Sequence, residues 1–229
     1  MTKINATIVA DSINEQGDRL TSFLITFPRI LLSEINTHRM LSKNTSSSRA
    51  IPFNKMVESV KNDTFIPIAW QKSHSGMQGT EYFDDGNVES LRQDWLRARD
   101  QAISSATFLT ETGATKQLAN RLLEPFMWTT MLITGSKEGW DNFFFLRLPE
   151  YHLENVPTIN EDLSLNSKTL TLIGKSKKEL LKQINEIDND SYTGFKTIIN
   201  NYSDLDWLQR NKGQAEIHLM DLAEKIYDA

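Results

Sequence analysis

Residues 34–52 read EINTHRMLSKNTSSSRAIP, and the rest of the chain is organised around them. Glu34, His38, Arg39, Lys43, Asn44, the serines at 46, 47 and 48, and Arg49 fall within sixteen positions. No buried packing element needs that mixture. An apolar segment leads in through Phe27, Ile30, Leu31, Leu32 and Ile35. Pro28 suits the first turn of a helix, where its missing N–H costs nothing. Leu31, Glu34, His38 and Leu41 follow at i, i+3, i+7 and i+10, which predicts a helix with these four on one face and Arg39 beside them. Past Leu41 the pattern dissolves into small hydroxyl residues, so a Ser/Asn loop is expected, closed by Arg49. Guanidinium groups with clustered N–H and O–H donors are what phosphate recognition requires. A polar helix end and an ordinary exposed loop is the plainer account of the same residues.

Upstream, residues 6–10 (ATIVA) and 21–27 (TSFLITF) have strand character, and Asn14, Gly17 and Asp18 between them give hairpin chemistry. Downstream, residues 54–60 read as a short amphipathic piece. His74, Gly76 and Gly79 mark a loop that could lie over a ligand, although His74 alone reads as a surface histidine. Residues 87–110 predict a helix with Leu91, Trp95, Ala98, Ala102 and Ala106 as its stripe, broken at Gly113. A second helix from Ala114 is expected to turn Leu118, Ala119, Leu122 and Leu123 inward until Pro125 ends or bends it. Residues 136–148 read as an aromatic helix that carries Asn142 and Arg147. The guanidinium of Arg147 ends an apolar stretch and must find a partner, because burying it unpaired is costly. Residues 149–212 are polar, with only Leu180, Leu181, Ile184 and Ile187 pointing to a helix. They read as an insertion or lid within a single domain spanning 1–229. A terminal helix closes the chain, packing through Ile217, Met220, Leu222 and Ile226. The expected fold class is α+β, a small antiparallel sheet packed against several helices.

Composition narrows the function. Hydrophobic residues make up 39% of the 229 and charged residues 24%, which is the balance of a packed domain. The net charge of −5 argues against a nucleic-acid polymer as partner. Cysteine is absent, which removes disulfides, cysteine-based zinc sites and thiolate nucleophiles together. There is no Walker A loop, no G-x-G-x-x-G and no G-x-S-x-G elbow. His38, His74, His152 and His218 lack H-x-x-x-H spacing, so no metal is expected. With no signal core and no membrane-length apolar run, a cytoplasmic protein without a membrane partner is expected. What remains is a phosphate or nucleotide site assembled from Arg39, Ser47, Arg49, Arg121 and Arg147.

The segment His38-Arg39-x-x-Ser42-x-Asn44-x-x-Ser47-x-Arg49 resembles the R-H-R-x-x-S-x-N-E-x-S-x-R signature of flavin-dependent thymidylate synthases, in a divergent phage-type branch. Arg121 with Pro125 is similar to that family's Arg-x-x-x-Pro element. Asn142 to Arg147 is similar to its N-F-x-x-L-R element, and Gln214 to Ile217 to its A-Q-x-E-I element. The resemblance covers roughly residues 20–148 and 212–229. Thr37 stands where the family has arginine, Thr45 where it has glutamate, Ser48 where glycine is common, and Glu34 where it has glutamine.

The resemblance implies C5 methylation of a deoxypyrimidine monophosphate without an enzyme nucleophile. FAD, NADPH and methylenetetrahydrofolate serve as cofactors, and the family is a homotetramer with shared sites. It implies His38, Arg39, Asn44 and Asn142 at the flavin. Glu34, Ser47, Ser48, Arg49 and Arg121 fall at the nucleotide. Arg147 is the catalytic residue at the pyrimidine, stabilising its ionised N3. A carboxylate at Glu34 can accept from the amino group of cytosine, so dCMP as substrate, or a hydroxymethyl product, is an alternative on the same scaffold. A non-catalytic nucleotide-binding or assembly protein is the alternative from another class.

Overall fold

The computed structural model describes residues 2–75, 79, 81–154, 171–186, 199–213 and 215–229. Strand β1 (Asn5–Ile13) and strand β2 (Arg19–Pro28) pair antiparallel as a hairpin. The turn between them needs Gly17, whose φ of 90° lies in the left-handed region. Strand β4 (Trp128–Ser136) pairs with the other edge of β2, and β3 (Ser42–Thr45) pairs with β4. The sheet order is β1-β2-β4-β3, antiparallel throughout. This is the expected α+β class.

Period-two alternation assigns the faces. Phe23, Ile25 and Phe27 of β2 and Met131 and Ile133 of β4 point into the main core. Their neighbours Leu20, Leu24 and Leu132 stay exposed on the outer face, where Ser22 and Thr134 share a hydrogen bond of 2.7 Å. Helix α1 (Leu32–Asn36), helix α5 (Lys137–Arg147) and the terminal helix α8 (Ile217–Asp228) supply the rest of that core. A second cluster joins α2 (Phe53–Asn62) and the long α3 (Asp85–Glu111) to the short α4 (Lys116–Ala119) and the 3-10 segment Asn120–Phe126. Helix α3 stops before Gly113, at φ 91°.

Several expectations need correction. Pro28 ends β2 and precedes a 3-10 turn, Arg29–Leu31, instead of opening an α-helix. Helix α1 is only five residues long. The buried positions are Leu31, Ile35, His38 and Leu41, while Glu34 is exposed. A 3.6-residue period accepts either neighbour at that point, and the apolar Ile35 takes the inward place. The segment after Leu41 is a strand, not a loop, for its first four residues. Leu118 and Leu122 face solvent, at 60% and 40% exposure, whereas Ala119 and Leu123 are buried. From Asn120 the chain winds as a 3-10 helix containing Pro125, and the tighter three-residue turn rotates the face. Gly76, Met77, Gln78, Ile187 and Gln214 lie outside the described residues; His74 is exposed.

Within 149–212, β5 (Tyr151–Glu154) pairs with β6 (Thr171–Gly174), followed by α6 (Lys177–Glu186) and α7 (Asp204–Gln209). Tyr151, Leu153, Leu180, Ile184, Ile199 and Trp207 form a small core of their own. It docks on α8 by polar contacts: Tyr151 donates to Glu224 at 2.7 Å and Ser176 to Asp228 at 2.7 Å. Among the described residues, no helix is long and apolar enough to cross a membrane.

Candidate functional site

The turn 37–41 delivers the first half of the site. Thr37 closes α1 by donating its hydroxyl to the Glu34 carbonyl at 2.6 Å. The chain then folds back so that the carbonyl of His38 accepts from the backbone of Leu41 at 3.2 Å and from the ammonium of Lys43. The imidazole is 5% exposed and packs edge-on against Phe143, with centroids 4.9 Å apart. The turn lies directly on α5. A side chain at Gly139 would stand 3.1 Å from the Met40 carbonyl oxygen, so the glycine is what permits the approach.

Arg147, at the last turn of α5, donates from Nε to His38 Nε2 at 2.9 Å. This joins two segments 109 residues apart and answers the requirement that the guanidinium find a partner. Nε2 must accept, so the ring is neutral with its proton on Nδ1. Burial first, then the charges of Arg147 and Lys43, hold His38 down at about 4. Arginine has five N–H donors. Among the described residues, those on the two terminal nitrogens of Arg147 have no protein partner.

This has a pH consequence. The unfolded histidine titrates near 6.5, the folded one near 4. Between these values the unfolded chain takes up a proton that the native state refuses, so stability falls as pH drops from 6.5 through 4. The contribution lost is on the order of 2 kcal/mol after allowance for solvent screening. Urea midpoints of wild type and His38→Gln at pH 7 and pH 4.5 check this. The acid loss should be smaller in the variant by that amount; equal losses would exclude His38 as its source.

The second half of the site is the 46–52 loop against the 3-10 segment. Asn120, fully buried, donates to the carbonyls of Ser48 at 2.7 Å and Ile51 at 2.9 Å. Arg49 follows Ser48 and Arg121 follows Asn120, so this bond joins the two segments that carry these exposed arginines. Ser48 itself is buried and donates to Glu124. The expectation that it contacts substrate is therefore corrected: its hydroxyl anchors the loop and leaves Ser47 and Arg49 outward. Sequence reading missed Arg29. It is 9% exposed and its Nε lies 3.3 Å from Glu124. Its Nη1 donates to the Ser46 carbonyl and the Thr129 hydroxyl, both at 3.2 Å. Arg29, Ser33, Asn36, Arg121 and Glu124 line one groove.

The remaining candidates are exposed: Arg39 on the turn, Asn44 on the edge strand β3 and Asn142 on α5. Glu34 is exposed and accepts from Ser33 at 2.7 Å; it is not part of the groove wall. Among the described residues Arg39, Arg49 and Arg121 make no ion pair, in a chain whose net charge is negative. The A-Q-x-E-I element has a structural role here. Glu216 caps α8, accepting from the backbone of His218 and Leu219, and His218 Nε2 accepts from Ile68 at 3.0 Å.

No family model matches this chain, and comparison with curated proteins finds no match. Among solved structures it is similar to the UMP/dUMP methylase PolB from Streptomyces cacaoi bound with 5-Br UMP. The TM-score is 0.52 at 16% identity, over 65% of this chain and 78% of that one. Over the aligned part the chain shares the fold of PolB. A second PolB structure, bound with 5-Br dUMP, aligns over 57% of this chain and 55% of that one at 16% identity, with a TM-score of 0.47. The likeness to PolB agrees at the level of the fold with the flavin-dependent thymidylate synthase resemblance.

Proposed function

We propose that the protein methylates C5 of a deoxypyrimidine monophosphate, converting dUMP to dTMP. Methylenetetrahydrofolate supplies the carbon and NADPH returns the flavin to its reduced form. The observation that carries this reading is Arg147, held through Nε by a neutral buried histidine with its terminal nitrogens free of partners among the described residues. A fixed guanidinium with open donors suits a pyrimidine that must carry negative charge on N3 and its flanking oxygens.

The residues fit an FAD. Arg39, Asn44 and Asn142 are exposed donors on elements that adjoin one another, and a guanidinium with two amides suits a diphosphate and a ring edge. When bound, reduced flavin supplies the hydride that completes the methyl group. His38 positions Arg147. Ser47, Arg49 and Arg121 hold the phosphate, and Glu34 faces the base. The exposed outer sheet face, with Leu20, Leu24 and Leu132, supports a homotetramer with shared sites. One observation favours a second substrate: the carboxylate of Glu34 makes no ion pair with Arg39 or Lys43 among the described residues, and it could accept from the amino group of dCMP.

The test is product analysis after incubation with FAD, NADPH and methylenetetrahydrofolate plus either nucleotide. Formation of dTMP from dUMP is expected, and Arg49→Ala and Arg121→Ala should each raise the KM for dUMP about tenfold or more. Methylation of dCMP alone would move the reading to the cytosine nucleotide. Tight nucleotide binding with no product from either would leave a binding protein.

A further inference from the structure

A second cleft, of about 380 Å3, opens between α5, the 212–213 turn and the end of α8. Its size is in the range of small-molecule sites. The walls are aromatic. Phe144 packs edge-on against Tyr227 with centroids 5.4 Å apart, and beside it Phe145 is 87% exposed. No other large hydrophobic side chain among the described residues is as exposed. The ring stands free on a helix whose other phenylalanines are packed, so it offers a flat apolar face that no described residue covers.

The cleft is lined by two carboxylates and two ammoniums, Asp141, Glu150, Lys175 and Lys212, and all but one of them are paired. Asp141 is paired with Lys137. Glu150 is paired with Lys175 at 2.6 Å and hydrogen-bonded to His152 at 2.8 Å. Lys212 has no acidic partner among the described residues, which leaves one ammonium uncompensated. It stands on a fixed wall. Its backbone N–H donates to the Glu150 carbonyl at 2.8 Å, and the N–H of Gly213 donates to Asn211 at 2.8 Å. A side chain at Gly213 would come within 2.6 Å of Met220 Sδ and 3.1 Å of the Leu148 carbonyl oxygen. The turn is therefore seated against α8 and the end of α5, and the cleft is preformed.

From this arrangement we infer that the cleft is a second binding site, taking a flat aromatic ring that bears an anionic tail, the ring on Phe145 and the tail at Lys212. Stacking on an exposed aromatic tolerates many ring types, while a nearby ammonium selects the anion. Two reactants of the proposed reaction have this chemistry: a folate, whose rings end in a glutamate, and the pyrimidine nucleotide. The choice between them rests on the proposed function; the site itself does not.

The test is calorimetric titration of the full chain with 5-formyltetrahydrofolate and, separately, with dUMP. Wild type, Phe145→Ala, Lys212→Glu and Arg49→Ala are compared, with dTMP formation by wild type followed in parallel. Phe145 and Lys212 are exposed, so both of their variants should fold, which thermal melting checks. One probe is expected to lose about tenfold or more of its affinity for the cleft in Phe145→Ala and in Lys212→Glu; Arg49→Ala leaves 5-formyltetrahydrofolate binding unchanged, and for dUMP it removes only the separate binding step at the phosphate site. Equal affinity of both probes for wild type and the two cleft variants would overturn the inference, as would no binding of either probe. A fall in oligomeric mass in Phe145→Ala with affinities unchanged would also overturn it, because a second copy would then be what covers the ring. Continued dTMP formation alongside any of these failures would sink this inference and leave the proposed function standing.

Discussion

Replacing Arg147 by lysine should lower the turnover of dUMP by about a hundredfold to a thousandfold, the usual loss when one preorganised donor to developing charge is removed. Lysine keeps the charge but not the fork. The present side chain spends Nε–H on His38, and that bond fixes the plane in which the other donors lie. An ammonium in the same place can reach His38 or the pyrimidine, not both in the guanidinium geometry. The loss should fall on kcat more than on KM, since the charge it opposes is larger in the transition state than in the bound nucleotide. Arg147 is half-buried, and its partner is a neutral ring, so the melting temperature should move only a few degrees. His38→Ala provides the companion measurement. It frees the guanidinium without removing it, so turnover should fall less than in Arg147→Lys while dUMP still binds. Turnover of Arg147→Lys within threefold of wild type would show that the fork is not used in the reaction.

Part of this was legible in the sequence. The hairpin was, because Asn14, Gly17 and Asp18 sit between two apolar runs, and the turn forms as that chemistry requires. The long helix was, because its stripe repeats over many turns and its stop is a glycine. The need of Arg147 for a partner was legible too, since a guanidinium closing an aromatic helix has few places to go. The identity of that partner was not. The sequence placed His38 on a face with Leu31 and Leu41 and His74 on the surface, as found, but nothing local couples His38 to a residue 109 positions away. Strand β3 was missed because SKNT lies at the sheet edge and carries no apolar alternation; only its pairing with β4 makes it a strand. Arg29 was missed for the same kind of reason. It follows a proline in an apolar run, and every group that satisfies it comes from a segment distant in the chain.

Arg29 is also where stability and function meet, and it carries the largest expected effect on folding. Truncating Glu124 to alanine should destabilise the protein by about 3 kcal/mol, since it leaves a buried guanidinium without its counter-charge. The remaining acceptors, the Ser46 carbonyl and the Thr129 hydroxyl, supply hydrogen bonds but no negative charge. Ser48 loses its acceptor in the same step. If the ion pair exists chiefly because each member needs the other, removing both should cost far less than removing one. Arg29→Met with Glu124→Leu, two apolar side chains of similar volume, should recover most of the lost stability in urea denaturation. Nucleotide affinity should not recover with it. In the double variant Ser48 still has no acceptor, and the 46–52 loop loses its tie to Arg29, so the loop that carries Arg49 is no longer fixed. A double variant as unstable as Glu124→Ala would mean that the shape of the two side chains, not their charge, supports this corner. A double variant with both stability and dUMP affinity restored would mean that Asn120 alone, through its bonds to Ser48 and Ile51, holds the loop that carries Arg49 in place.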